Sequence, residues 1–198
     1  MDMFKVGVTR KTYTLPYQWD GTGGVVYGPH LYFNRANSPY IVKYNLKTER
    51  VEAQISVGGY TARKNSYQWT GYSGMDLAVD EQGLWVLWGS TGNSRRLSAS
   101  KIDVVRNVIT QTYGLSTEPM SSMGNAFVAC GVIYCIDYYG GRSTTINFAL
   151  RYQDWKPMEP QHTVHKPVRR QLHGGLQPQR KSAVCLGQQA SSYLSAHF

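Results

Sequence analysis

Between Met75 and Trp88 the chain reads MDLAVDEQGLWVLW, and on either side of a short polar break every second residue is apolar. Leu77 and Val79 mark one strand, and Leu84, Val86 and Trp88 mark another. Asp80-Glu81-Gln82-Gly83 supplies the tight turn between them, so the stretch predicts a β-hairpin. Its first strand carries Asp76 beside Met75 and Leu77, where an uncompensated carboxylate is costly to bury. Such an acid requires a partner.

Two further stretches follow the same plan. Val25 to Phe33 and Phe127 to Cys135 each read as an apolar strand, a Gly-containing turn and an aliphatic-aromatic strand. Leu31-Tyr32, Leu84-Trp85 and Ile133-Tyr134 recur at a pitch of roughly 50 residues. Tyr40 to Leu46 and Val51 to Val57 follow the first hairpin, and Ser98 to Asp103 and Val108 to Tyr113 follow the second. A repeat of roughly 40 to 50 residues holding four short strands is the pattern of a propeller blade. The expected fold is therefore all-β, a partial β-propeller of about three blades, each a four-stranded antiparallel sheet. A ring closes with roughly four to eight blades, so three would leave raw strand edges, and the chain reads as a piece of a domain. Met1 to Lys5 carries no targeting signal, and Lys11 to Tyr17 is a β-type stretch without an obvious partner, as if a blade began upstream.

Composition divides the chain in two. Residues 1–149 are rich in Tyr, Val, Gly and Thr, with no apolar run long enough to cross a membrane, so insertion into a bilayer is not expected. Residues 150–198 hold four of the five His, four of the eight Pro and only two of the 15 Tyr, with seven Lys or Arg against two acids. More than half of the net charge of +9 lies there. By composition this is a basic disordered tail.

The local motifs carry little chemistry of their own. Gly21-Thr22-Gly23-Gly24 lacks the Lys-Ser/Thr of a phosphate-binding loop and precedes a strand, so it reads as a turn entering a blade. His30 is the only His before the tail and sits in a hairpin turn, which argues against a Ser/His/acid catalytic set. His162-Thr163-Val164-His165 offers two metal ligands without a third at suitable spacing. Arg169-Arg170 and Arg180-Lys181 supply only non-specific attraction for phosphates, so nucleic acid is not an expected partner. Cys130 and Cys135 flank one turn and are either facing partners or ordinary buried thiols; Cys185 lies in the tail.

Four segments then carry a resemblance. LPYQWDGTGGVVYGPHLYFN (Leu15–Asn34), IVKYNLKTERV (Ile41–Val51), MDLAVDEQGLWVLW and GNAFVACGVIYCIDYY (Gly124–Tyr139) resemble, in order and spacing, the olfactomedin domain of extracellular proteins. The similarity runs from about Tyr13 to Ala149. It implies a five-bladed propeller, secreted or displayed outside the cell, that binds other proteins in adhesion, matrix or receptor signalling and has no known enzymatic chemistry. It further implies a calcium site in the central channel, to which Asp76, the Asn125 side chain and the Ala126 carbonyl correspond. Gly74 stands where many relatives have a second acid, so the resemblance does not extend to a companion monovalent-ion site. The remaining calcium ligands, a carbonyl and an Asp, are missing, so calcium is expected to bind weakly or not at all. The family joins the cysteine matching Cys130 to one near the domain's start. That partner is absent, which leaves Cys130 as an expected free thiol.

The genetic code accounts for the tail. Leu150 to Phe198, back-translated with permitted codons and read one nucleotide further along, opens with YDTKTG and later gives SMVDYNPREKVLYAW. The first string copies Tyr44 to Glu49 and the second copies Ser73 to Trp85 with a longer turn; together they resemble the family's next blade. Residues 1–149 thus read as a partial olfactomedin-like propeller and 150–198 as a segment translated out of frame. The expected function is an extracellular protein-interaction module. The alternative is a propeller-based glycan binder or enzyme, since fold alone does not settle function.

Overall fold

The computed structural model describes residues 11–21, 23–60, 67–68, 74–90, 96–138, 143–154, 156–158 and 163–165, with the backbone alone for 116–118, 156–158 and 163–165. The N-terminal ten residues, Thr22, His162, Arg169-Arg170, Arg180-Lys181 and Cys185 lie outside the described residues.

Three antiparallel sheets follow one another along the chain. The first is β1 (Val25–Tyr27), β2 (His30–Asn34), β3 (Tyr40–Asn45) and β4 (Arg50–Ser56), each strand paired with the next. The second, β5 (Met75–Asp80), β6 (Gly83–Gly89), β7 (Arg96–Asp103) and β8 (Val108–Pro119), repeats that order. The third is β9 (Asn125–Ala129), β10 (Val132–Ile136), β11 (Ser143–Arg151) and β12 (Lys156–Met158), and β13 (Thr163–His165) also pairs with β11. The expected four-strand units are present as sheets. Their first strands open at Val25, Met75 and Asn125, the pitch anticipated from the hairpins, and Gly24, Gly74 and Gly124 stand immediately before them.

The Met75–Trp88 hairpin takes the register its pattern requires. Asp80 faces Gly83 across a two-residue loop, and Leu77 faces Val86. Neither face of its strands β5 and β6 meets water, because a sheet lies on each side. Leu77, Leu84, Val86 and Trp88 pack with Tyr32, Ile41 and Ile55 of the first sheet and with Val57 just after it. Ala78, Trp85 and Leu87, one residue out of phase, pack with Ala126, Val128, Ile133 and Cys135 of the third. The inner strands β1, β5 and β9 lie against one another in succession.

The first-sheet end of this stack is covered by the N-terminal stretch. Tyr13, Leu15 and Tyr17 lie on Phe33, Val42 and Tyr44 at the open face of the first sheet, and Lys11 reaches Glu49 at 2.6 Å. The stretch from Lys11 to Tyr17, expected to lack a partner, has one in β2 and β3. On the far side of the third sheet Phe127, Tyr134 and Ile146 are buried. At the other end of the similarity, β11 runs past Ala149 to Arg151, and Leu150 and Tyr152 are buried against the second sheet.

Candidate functional site

Asp76 and Asn125 lie at the beginning of the inner strands β5 and β9, which pack against each other. Both are buried, at 6% and 3% exposure, and Ala126 is fully buried. Asp76 Oδ2 accepts a hydrogen bond from the Tyr67 hydroxyl at 3.3 Å. The Asn125 side-chain oxygen accepts the main-chain N–H of Ala126 at 2.9 Å, which occupies one of its two lone pairs. Oxygen donors of this kind suit a hard cation such as calcium. The residues fit that ion in chemistry and fall short in number, since it takes roughly six to eight oxygens. Gly74, where the second acid of the resemblance would stand, instead offers a main-chain N–H to the Tyr60 hydroxyl at 3.2 Å.

A second buried carboxylate holds the second and third sheets together, and it was read from the sequence only as part of a turn. Asp80 Oδ1 accepts the N–H of Gln82 at 2.9 Å and the Trp85 indole N–H at 3.2 Å. Its Oδ2 accepts the N–H of Gly131 at 3.4 Å and the Tyr152 hydroxyl at 2.6 Å. Trp85 and Tyr152 pack with ring centroids 4.6 Å apart. Burial, then the bond to Asp80, pushes the Tyr152 phenol well above its ordinary range. The legible signal was parity: Asp80 shares a strand face with Asp76 and Ala78, and that face meets the third sheet.

His30 opens β2, and its Nε2 lies 2.7 Å from Glu52 Oε2. The Glu52 carboxyl sits below its ordinary range, first because the Asn45 amide donates to it, and then through His30 and Lys43, with burial opposing them. Lys43 bridges to the second sheet, donating to the Val104 carbonyl at 2.9 Å and to Asn107 Oδ1 at 3.2 Å.

Of the two states open to Cys135, a facing partner or an ordinary buried thiol, it takes the second, while Cys130 departs from expectation. Cys135 faces Ala126 and Phe148 across its sheet, so the register does not set it opposite Cys130. It is a free, fully buried thiol, and burial pushes its pKa far up. Cys130 occupies the loop between β9 and β10 with φ 52° and is disulfide-bonded, which corrects the expected free thiol; its partner lies outside the described residues. His165 of the H-x-x-H pair is in β13, opposite Ser143. Among the described residues no three His, Cys, Asp or Glu side chains are grouped as a metal cluster. No helix among them is long and apolar enough to cross a membrane.

Successive four-stranded meanders, stacked face to face with their first strands together, are blades of a β-propeller. The chain belongs to the olfactomedin-like domain family, whose model matches residues 1–179. It is 36% identical over 151 residues to myocilin of Macaca fascicularis and 35% identical over 151 residues to myocilin of Homo sapiens. Each alignment takes in 75% of this chain and 30% of the relative, so the chain spans about 30% of the length of the curated relatives it matches. Myocilin of Canis lupus familiaris is 37% identical over 148 residues, 74% of this chain and 30% of the relative. Among solved structures, the WD40 repeats of RRP9 align at 13% identity and a TM-score of 0.44, over 75% of this chain and 39% of that one.

Proposed function

We propose that the chain is an extracellular interaction module of the olfactomedin type, acting in adhesion, matrix or receptor signalling by binding other proteins and catalysing no reaction. Membership of the olfactomedin-like family over residues 1–179 carries this reading. The direct test adds labelled protein to intact cells. Saturable binding that is lost when the cells are lightly trypsinised, and kept when they are treated with glycosidases, is the expected result. Binding abolished by the glycosidases instead would favour the glycan-binding alternative.

Calcium belongs to the same proposal. The Asp76 carboxylate, the Asn125 side-chain oxygen and the Ala126 carbonyl are the groups that would hold it, and the ion would supply positive charge between β5 and β9. With three protein ligands its affinity is low. The segment from Leu150 is further proposed to be translated out of frame. Reading the transcript across the Ala149 codon tests this, and a shifted frame that does not encode YDTKTG sinks it.

A further inference from the structure

The run Gly21-Thr22-Gly23-Gly24 has a physical use that its turn chemistry does not explain. Gly23 lies flat against β5: its carbonyl accepts the N–H of Leu77 at 3.2 Å. A Cβ placed on Gly23 would overlap Asp76 Oδ1, and it would come within 3.0 Å of Asp76 Cα and 3.1 Å of the Leu77 nitrogen. Two of those three atoms are backbone and cannot swing aside. Gly24 differs, since a Cβ there would meet only the Tyr32 carbonyl at 3.5 Å and Phe33 Cβ at 3.7 Å, which is ordinary contact. On the other carboxylate oxygen, Tyr67 places its hydroxyl 3.3 Å from Asp76 Oδ2. Tyr67 is itself held, because it is buried in the core between the second and third sheets, and Gln68 after it donates its N–H to the Met123 carbonyl at 3.0 Å.

We propose that Gly23 and Tyr67 are positioning residues for Asp76: the bare Cα of Gly23 leaves room for one carboxylate oxygen, the Tyr67 hydroxyl fixes the other, and together they set the orientation in which Asp76 addresses a hard divalent cation. The cation rests on the calcium reading above; the orientation of the carboxylate does not. Groups that orient a metal ligand without touching the metal typically change affinity by about 10- to 100-fold when removed. Gly23→Ala is the steric probe, Tyr67→Phe the hydroxyl probe and Gly24→Ala the control.

The experiment follows the side-chain carboxyl ¹³C resonance of Asp76 in the full chain, assigned with Asp76→Asn, first in chelator and then through a titration to millimolar calcium chloride. In chelator, Gly23→Ala and Tyr67→Phe both shift that resonance, and Gly24→Ala leaves it in place. In the titration, the two active variants bind calcium about 10- to 100-fold more weakly than the unsubstituted chain. Tyr67→Phe keeps the test decisive where Gly23→Ala fails to fold, because it removes one atom and no packing volume. An unmoved resonance in Tyr67→Phe, or an equal shift in Gly24→Ala, overturns the proposal. A resonance that responds to both variants but not to calcium in the unsubstituted chain upholds the orientation of Asp76 and overturns the calcium reading.

Discussion

Asp80 gathers four donors onto two oxygens, and each donor would be left without its acceptor by truncation of the carboxylate. Orphaning a buried donor costs about 1–3 kcal/mol, so Asp80→Ala should destabilise the chain by on the order of 3 kcal/mol in urea unfolding. Tyr152→Phe should cost about 1 kcal/mol, because Asp80 keeps its other donors. Equal losses from the two variants would show that the remaining bonds contribute nothing. Asp137 answers to pH. Burial pushes its carboxyl up, but the Thr145 N–H and the Thr144 hydroxyl outweigh burial and hold it below its ordinary value of 3.8. A folded-state pKa below the unfolded one gives stability that is complete above the unfolded value and is lost as pH falls through the folded value. Thr144→Val should therefore move the acid limb of unfolding, followed by tryptophan fluorescence, to higher pH. At this scale the sequence was partly legible. Asp76 announced itself as an acid among apolar residues, whereas Asp80 was hidden by its place at a turn, where an exposed acid is ordinary.

Elements were easier to read than residues, because a period of two leaves a trace that a hydrogen-bond partner does not. The Met75–Trp88 pattern gave both strands and the loop, yet reading it by twos passed over the second apolar face that the unbroken run Leu84 to Trp88 carries. The other face, Ala78, Trp85 and Leu87, is equally buried, since this sheet lies between two others. Alternation shows that a strand has a core face and says nothing of a second neighbour. Lys11 to Tyr17 was illegible for the opposite reason: its alternate Tyr13, Leu15 and Tyr17 pack on a sheet without pairing into it as a strand. Those three residues are half-buried, so Tyr13→Ser with Leu15→Ser should cost about 1 kcal/mol per side chain by lost apolar burial. The variant should also bind a fluorescent hydrophobic dye more strongly than the unsubstituted chain, as the uncovered Phe33, Val42 and Tyr44 become accessible. Unchanged dye binding and stability would mean that this segment does not cover the first sheet.

Across the whole molecule, the boundary that bears on folding is at Ala149. Composition and codon reading both place a change of character there, while β11 continues two residues further and the family match extends to residue 179. The two observations are physically compatible. A strand accepts any apolar side chain at a position of the right parity, and Leu150, opposite Ile133, enters the core between the second and third sheets whatever frame encoded it. Tyr152 then fills the space over Trp85, and its hydroxyl meets Asp80. If the segment beyond Ala149 takes no part in the fold, Leu150→Ala is a surface change and stays within roughly 0.5 kcal/mol of the unsubstituted chain. If Leu150 is seated as the structure has it, at 5% exposure, the substitution empties a core position and costs about 2–5 kcal/mol. Urea unfolding of the full chain separates the two. A loss in the larger range, combined with a non-additive double substitution of Leu150→Ala and Asp80→Ala, is the expected outcome, because both residues serve the same interface. A neutral Leu150→Ala would return the edge of the folded unit to Ala149.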